Sequence, residues 1–134
     1  MTYTPKDIET TARTVYGEAR GESFEGKIAV AWVIRNRADT QYRGDRCEAV
    51  CLKPWQFSCW NPTDPNKAKI EAVDIENESF RQCLLAVAAV LGGLSHDPTD
   101  GSRHYHVAGL DVNWAEGQTP AAKIGNHLFY KGIA

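Results

Sequence analysis

Residues 12–37 read ARTVYGEARGESFEGKIAVAWVIRNR, and they decide the fold because they join an amphipathic helix to an apolar one through a glycine-rich connection. On the upstream side, Ile8, Ala12, Val15 and Ala19 recur at helical spacing between Pro5 and Ala19. Thr4 is the expected N-cap and Pro5 the first helical residue. On the downstream side, Ile28 to Ile34 is apolar without a break. That run is far too short for a membrane span, so it predicts a helix wrapped on most sides by protein. Gly17, Gly21 and Gly26 punctuate the join. Glycine ends helices and lets other groups approach closely, which predicts that Glu18 and Glu22 are presented at the wall of a cleft.

The chain has 134 residues, enough to bury a core as one domain over 1–134. Its 15 basic and 17 acidic residues leave a formal net charge of -2, which argues against nucleic acid as a partner and against an electrostatic hold on an anionic surface. The opening MTYTPKD has neither a basic start nor an apolar stretch, so synthesis in the cytoplasm without an ordinary secretory signal is expected, with no membrane anchor. Arg35, Arg37, Arg43 and Arg46 crowd together after the apolar helix and read as an exposed basic turn.

Cys47, Cys51, Cys59 and Cys83 match no zinc-knuckle spacing, and a chain of this size needs no disulfide framework, so free thiols are expected. If one bridge forms, Cys51 with Cys59 is the pair. Residues 48–62, EAVCLKPWQFSCWNP, start as a short helix and pass at Pro54 into a loop dense in Trp55, Phe57 and Trp60. Two readings stand side by side: a hydrophobic plug, or a platform on which a sugar face stacks. In an extended segment Gln56 and Ser58 would face away from Trp55 and Phe57. Lys67 to Leu91 returns to a helical pattern that stops at Gly92-Gly93, and its acidic residues Glu71, Asp74, Glu76 and Glu78 read as a solvated face.

Asp97-Pro98-Thr99-Asp100-Gly101 marks a tight turn, and Arg103 to Val107 then alternates as a strand whose partner is Ile124 to Tyr130. The expectation is an α+β, mainly helical domain with a small antiparallel element, by analogy lysozyme-like. His104 and His106 share one strand face, but a catalytic zinc wants a third ligand and no H-E-x-x-H motif accompanies them, so no metal and no cofactor is expected.

Several stretches resemble the catalytic domain of the SleB/CwlJ-type cell wall hydrolases, the spore-cortex lytic enzyme family. They are Val15-Tyr16-Gly17-Glu18-Ala19-Arg20-Gly21-Glu22, Gly26, Ala29-Val30-Ala31, Val33-Ile34, Asn36-Arg37, Gln56-Phe57-Ser58 and Ile124-Gly125-Asn126-His127-Leu128-Phe129. The resemblance runs over nearly the whole chain. It implies cleavage of peptidoglycan glycan strands by a monomer acting at the cell wall, with Glu18 as the catalytic glutamate by position. It also implies that Gln56 faces the cleft and that the Tyr105-His106 segment lies near the substrate; Ser58 and, on the platform reading of the loop, Trp55 and Trp60 are further substrate-binding candidates. No separate peptidoglycan-binding repeat accompanies the match, so a spore role is not implied, and a phage endolysin fits as well as a bacterial enzyme.

A carboxyl group at a helix end among apolar neighbours such as Val15 and Tyr16 suits the general acid that a glycosidic oxygen needs. Hydrolysis ordinarily needs a second carboxylate, roughly 5–5.5 Å away for retention or about 6.5–9.5 Å for inversion. Glu22 is the candidate near in sequence. Its alternative is a charge at the N-terminal end of the apolar helix. A lytic transglycosylase dispenses with the second carboxylate, and the resemblance leans to that reaction at the β-1,4 bond between N-acetylmuramic acid and N-acetylglucosamine. A muramidase using Glu18 and Glu22, an N-acetylmuramoyl-L-alanine amidase and an inactive wall-binding module are the alternatives.

Overall fold

The structure, a computed structural model, describes residues 3–41 and 46–133. Helix α1 (Pro5–Ala19) begins on the expected cap. The Thr4 hydroxyl accepts from the Asp7 N–H at 3.1 Å, and the Asp7 carboxylate accepts from the Thr4 N–H at 2.9 Å. This reciprocal box satisfies two backbone donors that the first turn leaves open. The same carboxylate, fully buried, accepts from the Glu48 N–H at 3.1 Å and from Arg46 Nε at 3.0 Å. It thereby ties the start of helix α3 (Cys47–Leu52) to the start of α1.

Helix α2 (Phe24–Asn36) is capped by Ser23, and a π-helical turn over Arg37–Gln41 follows it. Its apolar run is buried because α1 and helix α5 (Glu78–Leu91) both pack on it. Trp32 alone in that run is half-buried, its indole N–H donating to the Ser95 hydroxyl at 3.4 Å. Each fully buried valine or isoleucine of this helix contributes about 1.5–3 kcal/mol by leaving water, so the three-helix contact is the core of the fold.

The single helical pattern over 67–91 divides in two. Helix α4 (Asn66–Ala72) stops, and α5 starts afresh on Asn77, whose side chain accepts from the Phe80 N–H at 2.9 Å. Between them the Asp74 carboxylate accepts from the Glu76 N–H at 2.9 Å. Asp and Asn side chains that bond nearby backbone compete with helix continuation, which is why the break falls there. Glu71, Asp74, Glu76 and Glu78 are all exposed, as a solvated face requires.

Strands β1 (His104–Val107), β2 (Ala122–Ile124) and β3 (His127–Tyr130) form an antiparallel sheet in the order β1-β3-β2. The expected partner of β1 is thus a hairpin, of which β3 pairs with β1 and β2 lies outside. The register sets Tyr105 opposite Phe129 and Val107 opposite His127. Side chains alternate, so Tyr105, His127 and Phe129 share one face while His104, His106, Leu128 and Tyr130 share the other. No described helix is long and apolar enough to cross a membrane.

All four cysteines are buried and free. The suggested Cys51–Cys59 bridge does not form, because Cys51 Sγ turns to the Thr11 hydroxyl at 3.9 Å while Cys59 packs against Gly17. Burial pushes the Cys47 and Cys51 thiols up to about 12 and that of Cys83 up to about 11, so none of these three is a nucleophile at neutral pH.

Of the expected exposed basic turn, Arg46 is exposed, whereas Arg35 is half-buried and Arg37 is buried. Arg35 donates to the Val90 carbonyl at 2.7 Å and Arg46 pairs with Asp7; Arg43 lies outside the described residues.

Candidate active site

Gly17 is not at a helix end; it lies inside α1, where glycine costs about 0.5–1 kcal/mol relative to alanine. Its use is close approach. A Cβ at this position would sit 2.8 Å from both Cβ and Sγ of Cys59. Without one, the single 3₁₀ turn Ser58–Trp60 lies directly on α1, and the loop before it arrives beside Glu18 in the last turn of the helix. Gly26 is likewise inside α2, and only Gly21 of the three glycines lies in the connection.

The result is an open cleft of about 390 Å³ lined by Glu18, Arg37, Gln56, Ser58, Tyr105 and His127, with Phe57, His106 and Leu110 among the others. The Tyr105 hydroxyl donates to Glu18 Oε1 at 2.5 Å. Burial raises the Tyr105 phenol well above its usual range, and the adjacent Glu18 charge and hydrogen bond raise it further, so this group stays protonated and acts as a donor. Arg37 donates through Nε to the Arg103 carbonyl at 2.7 Å and lies over the Phe57 ring at 4.9 Å, which fixes it as a cleft wall.

Among the described residues lining this cleft, Glu18 is the one carboxylate. Glu22 stands behind His127 instead. Its two oxygens accept from the Asn126 N–H at 2.8 Å and the Asn126 side-chain amide at 2.9 Å, and Oε1 lies 3.5 Å from His127 Nδ1. Gly125 makes room for it: its φ is +57°, and a Cβ there would meet Glu22 Oε1 at 2.5 Å. Glu22 therefore clamps the β2–β3 turn against the α1–α2 connection and is not among the residues that line the cleft with Glu18; it also precedes the Ser23 cap and lies against the first turn of α2, where a negative charge suits the helix dipole. Burial works against its ionisation, but the two Asn126 bonds and the His127 and Lys27 charges outweigh that and hold its carboxyl below the usual range. Burial also lowers His127 despite the nearby Glu22 and Glu18, keeping this imidazole neutral near pH 7.

Of the sequence candidates, Glu18, Gln56, Ser58, Tyr105 and His106 come together. Trp55 and Trp60 do not line the cleft. Trp60 belongs to the plug: it packs on the core and its indole donates to the Thr14 hydroxyl at 2.8 Å. Trp55 is 83% exposed and takes φ 68°, so the segment is turned rather than extended. That turn also brings Gln56, Phe57 and Ser58 to the same cleft, where strict alternation would have separated them. Arg37 and His127 are the residues that the sequence reading left without a role. His104 and His106 do share a face, both against Trp114, and His106 spends its nitrogens on the Val107 carbonyl at 2.8 Å and the Tyr130 hydroxyl at 3.0 Å. Among the described residues no three His, Cys, Asp or Glu side chains converge on a metal position.

A mainly helical α+β domain whose open cleft sets a carboxyl group beside a phenol, among further hydrogen-bonding side chains, is the arrangement to compare with known enzymes. The chain belongs to the Cell Wall Hydrolase family, which matches residues 21–130. It is 31% identical to the spore cortex-lytic enzyme of Halalkalibacterium halodurans, over 95% of this chain and 35% of that protein. To the spore cortex-lytic enzyme of Bacillus subtilis it is 30% identical, over 95% of this chain and 38% of that protein. The chain thus spans well under half the length of these relatives. Among solved structures, the catalytic domain of the Bacillus cereus SleB protein superposes with a TM-score of 0.78 at 30% identity, covering 97% of this chain and 93% of that domain. The catalytic domain of the germination-specific lytic transglycosylase SleB from Bacillus anthracis gives 0.76 at 30% identity, with 96% and 97% covered.

Proposed function

We propose that this chain cleaves the glycan strands of peptidoglycan at the β-1,4 bond between N-acetylmuramic acid and N-acetylglucosamine, as a lytic transglycosylase with Glu18 as its one catalytic carboxyl group. The observation that carries this is the pair Glu18 and Tyr105 in a cleft from which Glu22 is withheld. Glu18, protonated, gives its proton to the glycosidic oxygen as the bond from muramyl C1 to that oxygen breaks, and the glucosaminyl side leaves with a free 4-hydroxyl. The resulting carboxylate takes the proton of the muramyl C6 hydroxyl while that oxygen attacks C1, closing an internal anhydro ring. No water is consumed. Tyr105 holds the carboxyl in place for both proton transfers, and Gln56 and Ser58 supply neutral hydrogen bonds to an acetamido sugar.

The site of action is then the cell wall. Mass spectrometry of digested purified walls tests the proposal. Anhydromuramyl ends, one water lighter than reducing ends, are expected. Reducing muramyl ends would mean a hydrolytic muramidase, and free stem peptides with uncut glycan would mean an amidase.

A further inference from the structure

The Glu18 cleft adjoins a second and larger cavity of about 580 Å³, and His106 and Leu110 line both. Leu128, Tyr130 and His106, from the sheet face opposite Tyr105, line it together with the loop that carries Asp111 and Glu116. This face is built in advance. His106 stacks on Tyr130 at 5.3 Å, and Trp114 stands edge-on to both rings at 5.5 Å and 5.2 Å, pinning the loop to the sheet.

Its chemistry differs from that of the cleft. The Tyr130 ring is stacked on His106 and the residue is only 4% exposed, so it offers no free face for a sugar to lie against. Asp111 and Glu116 are exposed, and neither carboxylate has a hydrogen bond or ion pair with a described residue. No lysine or arginine is among the described lining residues. A cavity of mixed polar and apolar lining that holds two unpartnered carboxylates suits a short chain carrying an amine better than another acetamido sugar.

We propose that this cavity takes the peptide stem borne by the muramyl residue in the cleft, with Asp111 and Glu116 holding the free amine of the stem's diamino acid. This rests on the glycan-cutting role proposed above, because that role places the stem's own sugar beside Glu18, next to the cavity. The function is then substrate selection: stem-bearing glycan over bare glycan.

The test compares wild type with the double variant Asp111→Asn/Glu116→Gln on intact peptidoglycan, on the same glycan stripped of its peptides by an amidase, and on intact material with its amines acetylated. Wild type should show a KM about three- to tenfold lower on intact material than on the other two. The variant should lose that advantage while keeping wild-type kcat on stripped glycan. Equal KM values for wild type on intact and stripped glycan, or an undiminished advantage in the variant, would overturn the proposal. If wild type cuts none of the three, the glycan-cutting role itself fails. The cavity is then judged by amide shifts of residues 109–116 on adding free L-alanyl-D-glutamyl-diaminopimelate: shifts lost in the variant support it, and no shifts overturn it.

Discussion

At the scale of single residues, the central object is the bond from the Tyr105 hydroxyl to Glu18 Oε1. Tyr105→Phe removes that donor and keeps the ring, which still packs on Phe129 at 5.6 Å and His127 at 5.1 Å. Turnover on purified walls should fall while stability changes by no more than about 1 kcal/mol, as read by kcat and urea midpoint. An unchanged kcat with a large loss of stability would make Tyr105 a core residue only. Trp60→Phe, by contrast, removes the indole bond to Thr14 and belongs to packing, so it should lower the melting temperature and spare KM. An altered KM with an unchanged melting temperature would return Trp60 to the sugar-binding groups.

At the scale of elements, two close contacts place the site. Gly17 lets the Ser58–Trp60 turn lie on α1, and Gly17→Ala would drive a methyl group into Cys59. Overpacking of this kind costs about 1–3 kcal/mol and should displace Gln56 and Ser58, lowering kcat and melting temperature together. A Gly17→Ala protein as active and stable as wild type would show that the loop yields freely. Glu22 joins the α1–α2 connection to the β2–β3 turn, and its partner Asn126 lies 104 residues away. Local sequence carries no trace of such a pairing, which is why the clamping role of Glu22 emerges only with the fold. The helices were legible for the opposite reason: capping and apolar spacing at Thr4, Ile8, Ala12 and Val15 are local signals. Strand β1 was legible by alternation. The aromatic loop was not, because a left-handed Trp55 and a 3₁₀ turn abolish the alternation on which its reading depended. Arg37 was hidden likewise, since its burial depends on Phe57 and on the Arg103 carbonyl, both distant in sequence.

At the scale of the whole molecule, buried titratable groups set the response to pH. Burial lowers His127, so the unfolded chain binds this proton more readily than the folded one. Its contribution is complete above about pH 6.5, the unperturbed histidine value, and is lost as pH falls through the folded value. For Asp7, burial opposes ionisation, but the Thr4 and Glu48 N–H bonds, the Thr4 hydroxyl and the Arg46 charge outweigh it; Glu22 is likewise held low. Their contributions are complete above about pH 4 for Asp7 and about pH 4.5 for Glu22, and disappear on further acidification. Melting temperature should therefore decline in two stages on acidification, and Glu22→Gln should flatten the more acidic one; a melting temperature that stays level through both stages would contradict this. The most direct test of the account compares Glu18→Gln and Glu22→Gln, both confirmed as folded, for turnover on purified peptidoglycan. Glu18→Gln should lose about 10²–10⁴ or more in kcat, while Glu22→Gln should lose stability but keep most of its kcat per folded molecule. Ordinary turnover by folded Glu18→Gln, or an equally deep loss of kcat in folded Glu22→Gln, would contradict the assignment of a single catalytic carboxyl group at Glu18.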